Sequence, residues 1–131
     1  MTGPVDIGVG VDLASVAAVE ASLDRFGERY LRRVFTPAEV ADCPPGPARP
    51  SQLAARFAAK EAVAKLLRPG PDEEPAWRDV EVLRSPGGAP TVRLHGWAER
   101  LADRRDVERV AVSMTHEAGI AAAVAVGTVR R

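Results

Sequence analysis

The sequence predicts an α+β domain in which an antiparallel sheet packs against one long helix. Three observations predict it. Val5, Ile7, Val9 and Val11 alternate with Asp6, Gly8, Gly10 and Asp12, and Val110, Val112 and Met114 alternate with Ala111, Ser113 and Thr115, which is the period-2 pattern of strands. Residues 52–67 are instead dominated by alanine, the strongest helix former, without a glycine or proline. Between these stretches the elements read in the order β-α-α-α-β-β-α-β-β.

The first strand has one apolar face and one nearly bare face, where Gly8 and Gly10 let a ligand or another backbone approach closely. Asp12 stands at its exit, placed equally well to cap the next helix or to bind a metal. That helix carries an apolar stripe of Val16, Val19, Leu23 and Phe26, and Gly27 ends it. A basic turn follows. Thr36 as cap, Pro37 at the first helical position and Glu39 in the first turn start a short helix that runs to about Ala41. The prolines of residues 43–51 exclude regular structure and make this a loop within one domain, residues 1–131. The helix of residues 52–67 stops before Pro69-Gly70, and an acidic loop runs to Pro75. A strand over 79–84, a turn over 85–90 and a return strand over 91–94 form a hairpin. Gly96 to about Asp103 is a helix with Trp97 and Leu101 inward. A strand ends at His116, residues 117–119 turn, and residues 120–126, a nearly continuous apolar run, form a central strand covered on both faces.

Composition narrows the function. The chain has 131 residues, 46% hydrophobic and 27% charged, the profile of one water-soluble domain with a real core. Its formal net charge of zero gives no field for nucleic acid. No apolar run approaches the ~20 residues of a membrane span, and no basic-then-apolar start marks a secretory signal. The single Cys43 makes no internal disulfide, so a cytoplasmic protein is expected. Charge is uneven along the chain. Residues 1–24 hold Asp6, Asp12, Glu20 and Asp24 without a Lys or Arg, whereas Arg25, Arg29, Arg32 and Arg33 follow against Glu28 alone.

The stretch RFAAKEAVAK, residues 56–65, carries the chemistry. The 18 basic residues include two lysines, and both, Lys60 and Lys65, flank Glu61 here. A compact ammonium rather than a planar guanidinium is what this place uses. Leu53, Phe57, Glu61 and Lys65 lie four residues apart, which sets Glu61 on or beside the apolar stripe. Glu61 and Lys65 are also correctly ordered for a plain surface ion pair. Two carboxylates, Asp12 and Glu61, with lysines nearby suit a Mg²⁺ ion shared with phosphate oxygens. The sequence has no Walker A, GxGxxG, HExxH or GxSxG motif, and two histidines with one cysteine exclude a structural zinc site.

GVGVDL (8–13), RRVFTPAE (32–39), RFAAKEAVAK (56–65), the DVEV and GGAP segments of the hairpin and SMTHEAGIAAAVAV (113–126) occur in this order. Together they resemble the short, single-domain phosphopantetheinyl transferases of the holo-acyl-carrier-protein synthase family, over nearly the whole chain. The resemblance implies transfer of the 4′-phosphopantetheine arm of coenzyme A to a serine of an apo acyl carrier protein, with release of 3′,5′-ADP. It implies that Asp12 and Glu61 hold Mg²⁺ on the pyrophosphate and that Lys65 contacts phosphate. It also implies that Lys60 and Arg56 line the coenzyme A site, and that Ser113, Thr115 and His116 stand beside the nucleotide. Arg56 as a surface ion pair and His116 as a structural residue are the competing readings. The proton acceptor is left open between Glu61 and a metal-bound water. The family implies a homotrimer with sites between subunits, and a carrier from fatty-acid or polyketide synthesis.

Three positions depart from the family pattern. The turns after Asp12, where the family places basic residues for carrier docking, hold Ala17, Ala18 and Glu20. The glycine-rich turn after the long helix is Arg68-Pro69-Gly70, and Glu117 stands where aspartate is frequent. The Arg25 to Arg33 patch then becomes the alternative docking surface, or the carrier is less acidic. A non-catalytic coenzyme A- or carrier-binding module, and another Mg²⁺-dependent enzyme acting on a nucleotide diphosphate, are the alternative functions.

Overall fold

Helix α4 (Arg49–Leu67) is the axis on which the other elements lie. The computed structural model describes residues 3–131; Met1 and Thr2, part of the expected 1–131 domain, lie outside the described residues. Ahead of α4 come β1 (Val5–Ser15), α1 (Val16–Phe26), α2 (Glu28–Val34) and α3 (Pro37–Asp42). After it come a single 3₁₀ turn (Trp77–Asp79), β2 (Val80–Arg84), β3 (Pro90–Leu94), α5 (Gly96–Arg104), β4 (Val107–Glu117) and β5 (Ile120–Arg130). The antiparallel strands divide into a three-stranded sheet, ordered β1-β5-β4, and the separate β2-β3 hairpin. This is the expected α+β architecture, with helix α2 standing where the sequence reading places a basic turn.

The reason for α2 lies at Gly27. At φ 55° and ψ −127° it closes α1, donating its N–H to the Leu23 carbonyl at 2.8 Å, and its own carbonyl receives the N–H groups of Tyr30 and Leu31. Glycine adopts this backbone geometry without a side-chain penalty, so the chain bends and restarts as a helix instead of stopping. Leu31 and Val34 then bury against the core.

Strand β4 turns its apolar Val110, Val112 and Met114 inward, but β1 is inverted relative to its hydrophobicity. Gly8, Gly10, Asp12 and Ala14 of β1 pair with Gly127, Ala125, Ala123 and Ala121 of β5. This small-residue face lies against α4, which meets it with alanines of its own. A methyl group built on Gly10 would overlap the Ala62 carbonyl, so here the approach is backbone to backbone. Val5, Ile7, Val9, Val11 and Leu13 turn the other way and are 50–63% exposed, and Ile120 and Val126 of β5 are 46% and 40% exposed. Strand β5 is central, as expected, but within one chain it is covered on one face only. The core is instead supplied by Leu53, Val63, Leu66 and Leu67 of α4, Phe35, Val80, Val82 and Leu101. Each fully buried branched side chain contributes on the order of 1.5–3 kcal/mol. Trp97 is half-buried, and its indole N–H donates to Glu73 at 2.8 Å.

Candidate active site

Strand β1 and helix α4 deliver Asp12 and Glu61 to one point. Asp12 shares the parity of Gly8 and Gly10 and so faces α4, while Glu61 precedes Ala62, the residue that touches Gly10. Ser15, not Asp12, caps α1, accepting the Ala18 N–H at 3.1 Å. Asp12 Oδ1 accepts only from its neighbour Leu13, at 2.8 Å, and Oδ2 lies 3.4 Å from the Lys65 ammonium. Lys65 therefore pairs with Asp12 rather than forming the simple helical pair with Glu61, and it also donates to the Val11 carbonyl at 3.2 Å. Its side chain remains 59% exposed, so it keeps donor capacity for a bound anion.

Burial, then the adjacent Asp12 carboxylate, push the Glu61 carboxyl up to about 7, with Lys65 pulling the other way. Two carboxyl groups within hydrogen-bonding reach of each other repel when both are ionised, and one ammonium does not offset two charges. A hard divalent cation would, and the oxygen donors suit Mg²⁺. Among the described residues no cluster of three or more His, Cys, Asp and Glu side chains exists. A cation here would draw its other ligands from water and a bound phosphate, which is the usual way Mg²⁺ sits on nucleotides.

A second cluster lies elsewhere on the same helix. Arg56, Arg84, Ser113, Thr115 and His116 line a cavity of about 220 Å³ between α4, the β2-β3 turn and the end of β4. Arg56 is not a surface residue. It is 1% exposed, lies 4.0 Å from Asp42, donates to the Gln52 carbonyl at 3.2 Å, and its buried Nε has no partner. Five residues separate Arg56 from Glu61, about 7.5 Å along the helix and roughly 140° around it. The fold thus brings Asp12, Glu61 and Lys65 together, and separately Arg56, Ser113, Thr115 and His116.

Lys60 joins neither cluster, which corrects its expected place on the coenzyme A site. It is wholly buried where α4 meets α3 and the start of β2, and its Nζ donates to Glu39 Oε1 at 2.7 Å, the Trp77 carbonyl at 2.9 Å and the Val80 carbonyl at 2.6 Å. Those three bonds use every proton an ammonium has. Glu39 is equally buried and also accepts the backbone N–H groups of Thr36 and Val82. The pair ties α3, α4 and the hairpin together.

The sequence reading missed the cavity beside Glu61, about 380 Å³, whose walls include Ser15, Val19, Tyr30 and Phe57. Burial and then the neighbouring Glu61 push the Tyr30 phenol up to about 12. The signal that α2 exists, an apolar Tyr30, Leu31 and Val34 among arginines, is present in the sequence and would have found Tyr30.

Comparison with known proteins fits this geometry. The family model described as the 4′-phosphopantetheinyl transferase superfamily matches residues 8–125. The holo-[acyl-carrier-protein] synthase of Desulforudis audaxviator is 46% identical over 123 residues, 92% of this chain and 93% of that protein. That of Frankia alni is 45% identical over 120 residues, 92% of this chain and 95% of that one. Among solved structures, Helicobacter pylori holo-[acyl-carrier-protein] synthase in complex with coenzyme A superposes with a TM-score of 0.78 at 32% identity, covering 91% of this chain and 98% of that one. Mycobacterium tuberculosis acyl carrier protein synthase gives 0.73 at 37%, covering 93% and 97%. With the fold, the paired carboxylates and these relatives in agreement, the chain belongs to the 4′-phosphopantetheinyl transferase superfamily, in its holo-[acyl-carrier-protein] synthase family.

Proposed function

We propose that Asp12, Glu61 and Lys65 carry the transfer of 4′-phosphopantetheine from coenzyme A to a serine of an apo acyl carrier protein. The observation that carries this assignment is the convergence of two carboxylates from different elements, near enough for Asp12 to raise the Glu61 carboxyl, with an exposed ammonium 3.4 Å from Asp12. In the reaction the serine Oγ forms a bond to the phosphorus bearing the pantetheine arm. The bond from that phosphorus to the bridging oxygen breaks, and 3′,5′-ADP leaves with the electron pair. The residues' task is positioning and charge neutralisation, since the phosphoryl group itself needs little covalent help. Lys65 donates to a phosphate oxygen while Asp12 holds its ammonium in place. Asp12 and Glu61 would hold Mg²⁺, which supplies charge neutralisation on the pyrophosphate and orients it. Glu61 serves as a ligand here, so the serine proton leaves to water.

Arg56, Arg84 and His116 are assigned to the nucleotide end of coenzyme A. The buried, unpartnered Arg56 Nε supports an anion at that place. Since the two clusters do not share a cavity within one chain, the complete site is assigned to the junction of two copies, in a homotrimer. The open face of Val5, Ile7, Val9, Val11 and Leu13 supports such an assembly, because a contiguous apolar surface is stabilised by being covered. For the carrier, Arg25 and Arg32 are exposed and do not line the cavities beside α1 and α2, which suits them to a partner's carboxylates. The carrier belongs to fatty-acid or polyketide synthesis on this reading. A cytoplasmic location goes with it; no helix of the described residues is long and apolar enough to cross a membrane, and Cys43 is a free thiol.

The test is release of 3′,5′-ADP from coenzyme A and Mg²⁺ with and without apo carrier. Release that requires the carrier and its serine is expected. Release without carrier would point to a nucleotide diphosphate hydrolase instead.

A further inference from the structure

The cavity beside Glu61 continues as a groove along the seam of α1 and α2. Its near part, about 380 Å³, is walled mainly by Leu13, Ala18, Val19 and Phe57. Its far part, about 210 Å³, is lined by Ser22, Phe26, Arg29, Tyr30 and Arg33. Ser22 and Tyr30 line both, so the two parts adjoin at these residues. From Ser15 at the near end to Phe26 at the far end, α1 rises about 16 Å. The pantetheine arm, from its phosphorus to its sulfur, has roughly thirteen bonds and reaches about 16 Å at the ~1.2 Å per bond of an extended chain. An arm whose phosphate sits at Asp12 and Glu61 therefore brings its sulfur to the far part. The walls suit it: mostly apolar, with the Ser22 and Tyr30 hydroxyls to meet its two amides.

The far end carries more charge than coenzyme A uses. Arg29 and Arg33 line it, and neither forms an ion pair among the described residues. A thiol offers nothing to two guanidinium groups. A carboxylate at the end of a short acyl chain on that sulfur does, through planar, bidentate, charge-assisted hydrogen bonds.

We propose that the α1–α2 groove seats the pantetheine arm and that Arg29 and Arg33 select coenzyme A thioesters whose acyl group ends in a carboxylate. The chain then installs carboxyacyl-phosphopantetheine on its carrier in one step. The bonds made and broken are those of the parent transfer: serine oxygen to phosphorus forms, phosphorus to bridging oxygen breaks, ADP leaves, and the thioester stays intact. This rests on the proposed transfer and on the pyrophosphate lying at Asp12 and Glu61.

The experiment compares succinyl-coenzyme A with butyryl-coenzyme A, which has the same chain length with a methyl group in place of the carboxylate. Free coenzyme A is run alongside, and kcat/KM is read by intact mass of the carrier. In the wild-type chain succinyl-coenzyme A is expected to be favoured over butyryl-coenzyme A by about tenfold. In the double variant Arg29→Ala, Arg33→Ala that ratio is expected to fall to about one, and Arg29→Lys, Arg33→Lys retains part of it. A wild-type ratio at or below one overturns the proposal. A variant that slows all three donors by the same factor also overturns it, and makes the two arginines a carrier-docking surface. No transfer from any donor, free coenzyme A included, is the separate failure of the parent function.

Discussion

At the residue scale the account turns on which charges are spent and which are free. Lys60 and Lys65 look alike in the sequence, each flanking Glu61, yet one is consumed inside the protein and the other faces out. Five positions apart on a helix, they point about 140° apart, and Glu39, the partner that captures Lys60, lies 21 residues away in the chain. Spacing alone does not reveal that partner. Lys60→Met should therefore cost about 3–5 kcal/mol of stability by leaving Glu39 buried and unpaired, and chemical denaturation reads it. The double change Lys60→Met, Glu39→Leu should recover part of that loss. Glu61 behaves differently. Its carboxyl titrates near 7 when folded against an ordinary value of 4.5, so the folded state favours its protonated form. The sign follows: this contribution to stability is full below about pH 4.5 and is lost as pH rises through about 7. In EDTA, thermal melting across that window should fall more steeply for the wild type than for Glu61→Gln. Equal slopes would mean Glu61 is not held against Asp12. Asp12, Glu61 and Lys65 stood out as candidates in the sequence, but capping for Asp12 and a plain ion pair for Glu61 and Lys65 read as well from spacing, and the family resemblance is what grouped them.

At the element scale the strands and the long helix were readable and the sense of the sheet was not. Alternation in β1 marks a strand correctly, but period alone does not say which face goes inward. The usual inference, apolar side in, holds for β4 and fails for β1, because α4 comes so close at Gly8 and Gly10 that a side chain there would overlap it. That closeness has a consequence for Gly10. Gly10→Ala must push α4 away from β1, with a stability loss of about 1–3 kcal/mol or more and displacement of Glu61 from Asp12. A melt and a Mg²⁺ titration measure the two effects, and a fully stable, active Gly10→Ala protein would show that the contact yields. Helix α2 escaped the sequence reading because Gly27 is a strong stop signal, which masked the apolar stripe of Tyr30, Leu31 and Val34 beyond it.

At the scale of the whole molecule, the proposed assembly would cover the open apolar sheet face and unite the two clusters in one site. If Asp12 and Glu61 of one copy work with Arg56 and His116 of another, two inactive variants should rescue each other. Mixing Glu61→Ala protein with Arg56→Ala protein in equal amounts, after unfolding and refolding together, is expected to restore about a quarter of wild-type activity, by random assortment of subunits into closed symmetric oligomers. No recovery would place the site within single chains. The most direct measurement of the central claim is the intact mass of a small set of apo carriers after incubation with this protein, coenzyme A and Mg²⁺. One carrier would be a discrete fatty-acid carrier and another a carrier domain of a large synthase, with Glu61→Ala as control. The account predicts a gain of one phosphopantetheine per carrier, located on its serine and absent with Glu61→Ala. Measurable coenzyme A binding with no gain on any carrier would contradict it and leave a binding module in place of an enzyme.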